Sequence, residues 1–245
     1  MKALILAAGL GTRLKHLTSN KPKALVEVSG KPLLEIVVEN LKKSGINDII
    51  INVHHFAEQV VDFVKVKNNF GINIEISDET SLLLDTGGGI KKASWFFEEE
   101  KDFLVHNVDV ISGIDFKKMH KFHSENNSFA TLAVKKRDTA RYFLFDSNNE
   151  LCGWENIKEN NRLLSKSFTD SFTQLAFSGI QMLSTEIIKY LDDKEPNSIT
   201  HSYLALSKTN KVIAFQHDSD YWFDLGRPEN IAKTENFFKN NHINI

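Results

Sequence analysis

The chain opens with six consecutive apolar residues, Ala3-Leu4-Ile5-Leu6-Ala7-Ala8, which break at once into Gly9-Leu10-Gly11-Thr12-Arg13 and run on to Lys21-Pro22-Lys23. A run this short and aliphatic fits a strand buried on both faces. Glycines directly after it let the backbone turn tightly and bring its N–H groups against a ligand. Arg13 and Lys23 add fixed positive charge to that turn, one as a planar fork and one as a point charge. The combination predicts an α/β protein that binds a nucleoside triphosphate at the end of its first strand.

Competing uses of the same residues are less well matched. A dinucleotide fingerprint needs a third glycine where Leu14 stands, and a P-loop needs a Gly-Lys-Ser/Thr run that the chain lacks. A secretory leader needs a longer apolar run, not one met at once by Arg13 and Lys15. An ordinary strand-to-helix turn with solvated basic residues accounts for the residue types without any ligand.

At 245 residues one α/β domain spanning 1–245 is expected. A net charge of −2 and a pI near 6.5 argue against nucleic-acid or membrane partners. Cys152, the sole cysteine, excludes an intrachain disulfide, and no apolar run approaches the ~20 residues of a membrane span. These features predict a soluble cytoplasmic protein, monomeric or a small homo-oligomer.

Strand-like segments 49–53, 72–76 and 103–106 alternate with helix-like segments 33–44 and 57–67, the first helix stopped by Gly45. The alternation predicts a largely parallel sheet between helices. Segments 129–134, 142–145 and 175–183 read as further strands, Asp146-Ser147-Asn148-Asn149 as a turn, and Pro228 to Asn240 as a closing helix.

Several groups are suited to chemistry. Asp109 follows the apolar run Phe103-Leu104-Val105 and is placed at the carboxyl end of a central strand, where open α/β sheets bind ligands. Asp224 stands among the aromatics of Tyr221-Trp222-Phe223 and before Gly226. Two carboxylates from remote segments suit one Mg²⁺, and Mn²⁺ accepts the same ligands; each aspartate alone equally suits a cap or a turn. Asp218-Ser219-Asp220 has the form of a D-x-D metal site or of a polar turn. Thr86-Gly87-Gly88-Gly89 precedes a predicted helix through Phe97, and bare backbone there would admit a base or a sugar, or simply make a surface turn. Glu79 would accept hydrogen bonds from a base edge, or be a solvated loop residue. Phe177-Ser178-Gly179 puts a glycine inside an apolar strand, a mark of close approach. Adjacent His54 and His55 would point to opposite faces of a strand, and neither Ser178 nor Cys152 has the setting of a covalent nucleophile.

With these pieces in place the chain resembles the sugar-1-phosphate nucleotidylyltransferases, whose opening signature L-A-A-G-x-G-T-R-L-x-P-L-T-x-x-x-P-K-x-L runs here from Leu6 through Leu25, with His16 at the usual proline. The likeness continues through Gly30-Lys31-Pro32-Leu33, the Thr86 cluster, Asp109, Phe177-Ser178-Gly179 and Trp222-Phe223-Asp224-Leu225-Gly226. It implies a Rossmann-like three-layer αβα sandwich with a mostly parallel mixed sheet, without the C-terminal β-helix of many relatives. It implies transfer of a nucleotidyl group from an NTP to a sugar 1-phosphate with release of pyrophosphate. Arg13, Lys23 and Asp109 would be catalytic. Leu6, Ala8, Gly9, Gly11, Thr12, Arg13, Lys23, Glu79, Gly87, Gly88 and Asn107 would bind the nucleotide. Ser178, Gly179 and Asp224 would bind the sugar phosphate, with Asp109 and Asp224 on Mg²⁺.

Short length and the form Asp85-Thr86-Gly87-Gly88-Gly89 look most like members that transfer uridylyl from UTP to N-acetylmuramate α-1-phosphate in cell-wall recycling; mannose- and heptose-1-phosphate guanylyltransferases are the rivals. The Glu-Lys pair of many members is missing, since Trp154-Glu155-Asn156 has no adjacent lysine, and Lys158 is the nearest stand-in. Two other classes fit part of the pattern: a glycosyltransferase using Asp218 and Asp220, and a nucleotide-binding regulator.

Overall fold

The computed structural model describes residues 1–166 and 171–243. Strand β1 (Ala3–Leu6) leads through short 3₁₀ turns at Thr12–Thr18 and Lys23–Leu25 into β2 (Glu27–Val28), β3 (Lys31–Pro32) and helix α1 (Leu33–Lys43). Then come β4 (Asp48–Val53), α2 (Ala57–Val66), β5 (Asn73–Asp78), α3 (Asp85–Lys92), β6 (Asp102–Asn107), β7 (Val110–Ser112) and α4 (Phe116–Glu125). The second half holds β8 (Ala130–Lys135), β9 (Arg141–Phe145), β10 (Leu151–Asn156), β11 (Asn161–Leu164), β12 (Thr173–Ser184), α5 (Ile199–Leu206), β13 (Val212–Gln216), β14 (Trp222–Asp224) and α6 (Pro228–Asn240).

Ten of these strands form one mixed sheet. Its first half is parallel, with β1 between β6 and β4 and β5 beyond β4. The long β12 lies antiparallel to β6 and carries the second half, pairing with β8 through Ala176–Leu183 and with β9 through Thr173–Leu175. Residues of one strand alternate between two cores: Ala3 and Ile5 pack with α1, α2, α4 and α6, while Leu4 packs with α3 and α5. That alternation makes the expected sandwich of a sheet between helix layers.

Local chemistry explains the helix ends. Gly45, at φ +86°, follows α1 as its stop, and the Asp115 carboxylate accepts from the N–H groups of Lys117 and Lys118 at 3.0 Å each to start α4. One expectation needs correction: the Thr86 cluster does not precede a helix but lies inside α3, and Ser94–Phe97 is a separate 3₁₀ turn. A helical glycine costs about 1 kcal/mol relative to alanine. Here bare backbone is required, because a Cβ on Gly87 would collide with Asn197, and one on Gly89 would lie 2.8 Å from both Asn52 Nδ2 and Glu79 Oε1.

His106, in the middle of the sheet on β6, is 1% exposed and donates from Nδ1 to the Asn107 carbonyl at 2.8 Å. Burial lowers its pKa to about 4 from an ordinary 6.5. Between those values the unfolded chain binds more protons than the folded one, so the His106 contribution is complete above pH 6.5 and is lost as pH falls toward 4, by up to about 3 kcal/mol. Urea midpoints of the native protein should therefore fall more steeply over that window than those of His106→Gln; parallel curves would exclude this role.

Candidate active site

Strand order reverses about β1: the chain builds outward through β4 and β5, then returns to β6 on the other side of β1. Ligands of open α/β sheets bind beyond the carboxyl ends of strands at such a reversal. A cavity of about 550 Å³ opens there, with Leu6, Ala8, Gly9, Arg13, Lys23, Glu79, Asn107 and Asp109 in its wall. Eight of the expected site residues are thus brought together. Nothing lies within 4 Å of where a Gly9 side chain would stand, so bare backbone faces the opening. Gly11 acts within the loop instead, sitting at φ +66° against Thr18 and the Cβ of Lys23 and closing the loop on itself, and Thr12 begins the following 3₁₀ turn.

The loop is held from beneath by Asn52, a residue not singled out by sequence. Its Oδ1 accepts from the N–H groups of Ala7 at 2.6 Å and Ala8 at 3.2 Å, and its Nδ2 donates to Glu79 Oε1 at 2.7 Å. Glu79 Oε2 accepts from Leu84 N at 3.2 Å, and His54 Nδ1 donates to the Glu79 carbonyl at 2.7 Å. Glu79 is fully buried, and burial pushes its carboxyl above the usual range against the pull of Asn52 and Leu84. Both its oxygens are engaged by protein, so it braces the wall rather than offering a base edge a free acceptor. Gly87 and Gly88, expected to face the nucleotide, instead face Asn197 and the Asp192 carbonyl.

Charge alternates across the mouth. Lys23, 12% exposed, donates to Asp109 Oδ2; Arg13 Nη2 lies 3.9 Å from the same oxygen, and Arg13 Nη1 lies 3.9 Å from Asp224 Oδ2. Asp224 arrives on β14, which pairs with β7 just beyond Asp109, and its Oδ1 accepts from Gly226 N at 2.8 Å. Segments far apart in sequence therefore aim two carboxylates at one guanidinium.

Ser178 and Gly179 occupy a register shift of β12. Gly179 has φ +75°, and a Cβ there would lie 2.9 Å from Asn107 Nδ2, so it lets Asn107 pack closely. Ser178 is fully buried; its hydroxyl meets His217 Nε2 at 2.7 Å and its carbonyl accepts from the Trp222 indole at 2.8 Å. That hydroxyl is a structural partner of His217 and is not presented to a ligand. Glu155, 4% exposed, takes Arg162 as its cation through Nε at 2.8 Å and Nη2 at 2.7 Å. Lys158 stands on the exposed turn between β10 and β11. The D-x-D reading is not supported: Asp218 Oδ1 accepts from Lys136 N at 2.7 Å, its Oδ2 accepts from Gln216, and Lys135 Nζ donates to the carbonyls of His217, Asp218 and Asp220. Among the described residues no group of three or more His, Cys, Asp or Glu side chains is placed to hold a metal. No helix among them is long and apolar enough to cross a membrane.

A cavity at the strand ends with Arg13 and Lys23 in its wall is the site this α/β fold presents, and the family model described as nucleotidyl transferase matches residues 2–241. The chain belongs to the nucleotidyl transferase family. Mannose-1-phosphate guanyltransferases of Yarrowia lipolytica and Gibberella zeae are 29% and 30% identical to it over 232 and 236 residues, alignments that cover 94% of this chain but 61% and 62% of theirs. The chain thus spans about three-fifths of the length of these curated relatives. Among solved structures, HddC from Yersinia pseudotuberculosis complexed with GMP-PN is 28% identical with a TM-score of 0.75, covering 97% of this chain and 99% of that one. A putative glucose-1-phosphate thymidylyltransferase from Bacillus anthracis shares the fold, with a TM-score of 0.78 at 19% identity, over 97% of this chain and 94% of its own.

Asn52→Asp provides a direct test of the brace. It sets a second carboxyl against Glu79 Oε1, and the folded pair holds its shared proton above the unfolded values, so the variant's stability deficit should be small near pH 4 and grow as pH rises to 7. The expected deficit at pH 7 is about 2–4 kcal/mol by urea denaturation. A pH-independent deficit would remove the contact.

Proposed function

We propose that the protein transfers a nucleotidyl group from a nucleoside triphosphate to a sugar 1-phosphate, releasing pyrophosphate. The observation that carries this reading is Arg13, set between Asp109 and Asp224 at the strand-end cavity with Lys23 beside Asp109. A sugar-phosphate oxygen attacks the α-phosphorus in line, forming one P–O bond as the bond to the departing pyrophosphate breaks. The nucleophile is already anionic, so no general base is required. Catalysis is then positioning and charge stabilisation. Arg13 meets charge growing on the pyrophosphate, Lys23 neutralises the phosphates that lie over Gly9, and the loop amides are held in place by Asn52.

The donor set fits Mg²⁺, a hard cation satisfied by one or two carboxylates with phosphate oxygens and water. Asp109 and Asp224 would hold it, since the two carboxylates flank one guanidinium, Asp109 at Nη2 and Asp224 at Nη1 of Arg13. When bound, the ion neutralises phosphate charge as a Lewis acid.

Guanosine is the proposed nucleoside. The run Asp85 to Gly89, which favoured uridylyl transfer to N-acetylmuramate α-1-phosphate, packs its glycines against protein and so carries no preference for a base. The relatives support the guanylyl alternative: the curated ones are named mannose-1-phosphate guanyltransferase, and HddC was solved with GMP-PN.

Pyrophosphate release with Mg²⁺ should be greatest for GTP with mannose 1-phosphate in a grid of the four common NTPs against mannose, glucose, N-acetylglucosamine, N-acetylmuramate and heptose 1-phosphates. A maximum at UTP with N-acetylmuramate would reinstate the uridylyl reading, and an empty grid from protein that still binds nucleotide would overturn transfer altogether. Arg13→Ala should lower kcat about 100-fold or more at unchanged thermal stability; a fully active variant would strip Arg13 of its role.

A further inference from the structure

Arg137 lies two residues beyond β8 and is half-buried. Its Nη2 donates to the Phe177 carbonyl at 2.9 Å, and its guanidinium carbon sits 4.3 Å above the centre of the Trp222 ring. The Trp222 indole in turn donates to the Ser178 carbonyl, so the cation is clamped between the register shift of β12 and the face of β14. Trp222 and Asp224 are two residues apart on β14 and share a face. Burial lowers the pKa of the Arg137 guanidinium, and the Asp224 charge, with Tyr142 behind it, holds it up.

Clamping has not given the cation a counter-ion. Among the described residues no carboxylate approaches Arg137 within ion-pair distance, and its Nε is buried without a hydrogen-bond partner. A partly desolvated charge left unpaired is unfavourable, and its orientation here is fixed in advance by a carbonyl and an aromatic face. With Nη2 spent on Phe177 and Nε shut off from solvent, Nη1 is the guanidinium nitrogen left for an anion brought from outside. The nucleotide phosphates already have Arg13 and Lys23 at the cavity mouth; Arg137 stands with Asp224 on the β14 side, beyond them. Lys158 is on an exposed turn and Arg162 is committed to Glu155.

We propose that Arg137 is the cation that receives the phosphate of the acceptor sugar 1-phosphate, so that Asp224 lies between a donor-side guanidinium, Arg13, and an acceptor-side one. This rests on the transfer reading above. Arg137 is a binding residue: it fixes the nucleophilic phosphate relative to Asp224 and takes no proton.

Steady-state kinetics of Arg137→Lys and Arg137→Gln, with the best substrate pair, separate this role from a structural one. KM for the sugar 1-phosphate should rise about 10- to 100-fold in Arg137→Gln, with KM for the NTP unchanged within about two-fold. Arg137→Lys, which keeps the charge and loses the fork, should fall between. An unchanged sugar-phosphate KM, or equal rises in both KM values, would overturn the assignment. Calorimetric titration of the same proteins with mannose 1-phosphate and with NTP stands apart from turnover. Should the native protein bind sugar phosphate without turnover, the transfer reading fails while loss of that binding in Arg137→Gln, with NTP binding retained, still upholds the anion site. Equal binding by native and variant protein overturns it.

Discussion

The buried amide of Asn52 is the contact on which the cavity depends. The carboxyl end of β1 must expose N–H groups to a ligand, yet the first amides past the strand, those of Ala7 and Ala8, are themselves buried and need acceptors. Asn52 Oδ1 serves both, and its Nδ2 is anchored by Glu79, which is anchored in turn by Leu84 N at the entry to α3. The chain of bonds thereby ties β1 to β4, β5 and α3. Few residues suit the position: an aliphatic side chain orphans two amides and a carboxylate, and an aspartate faces Glu79 with like charge. The close seating of Gly89 on the Asn52–Glu79 pair follows, since any Cβ would part them.

Above that rigid floor the protein supplies no surplus of positive charge. Asp109 and Asp224 are set among Lys23, Arg13 and Arg137, and the Asp85 carboxylate also lines the cavity. A triphosphate and a sugar phosphate bring several negative charges together, and these side chains alone do not balance them. The two carboxylates, otherwise an obstacle to anionic substrates, gain a purpose if a divalent cation is the missing charge. Arg13 then has to sit near both without quenching either, which accords with separations of 3.9 Å rather than close bidentate pairs.

The parallel half of this architecture was readable because β1, β4 and β6 are apolar on both faces, β5 alternates buried and exposed residues, and the helices between carry a clear stripe; Pro228 to Asn240 matches α6 to the residue. Arg13, Lys23, Asp109 and Asp224 were readable as charges in glycine or aromatic settings. Asn52 left a signal that went unused, a lone amide in Ile49-Ile50-Ile51-Asn52-Val53, where burial obliges a polar group to find partners. The triple glycine misled because propensity marks it as a turn, whereas close packing on Asn197 and Asn52 outweighs the helical penalty. Arg137 was hidden in Lys135-Lys136-Arg137, which reads as a solvated basic run; only tertiary structure puts Trp222 beneath it and the Phe177 carbonyl beside it. The helix α4 and strand β13 also went unread although their signals were present: α4 buries Phe116, Met119 and His123 on one face, and β13 is the apolar run Val212-Ile213-Ala214-Phe215.

The two halves of the sheet differ in a way that suits a reaction between two substrates. Parallel strands end together, so β1, β4, β5 and β6 supply backbone amides and side chains at one edge, an arrangement fitted to a polyphosphate. Antiparallel strands place residues by register, and the shift in β12 at Ser178–Gly179 is where that register is broken to seat Asn107, Trp222 and Arg137. β14 then carries Asp224 back across to Arg13 through its pairing with β7, directly after Asp109. On the proposed reading, a donor held by the parallel edge and an acceptor held at the β12 shift meet at Asp224, and the alignment of nucleophile and leaving group is set by how the β7–β14 pair joins the two halves.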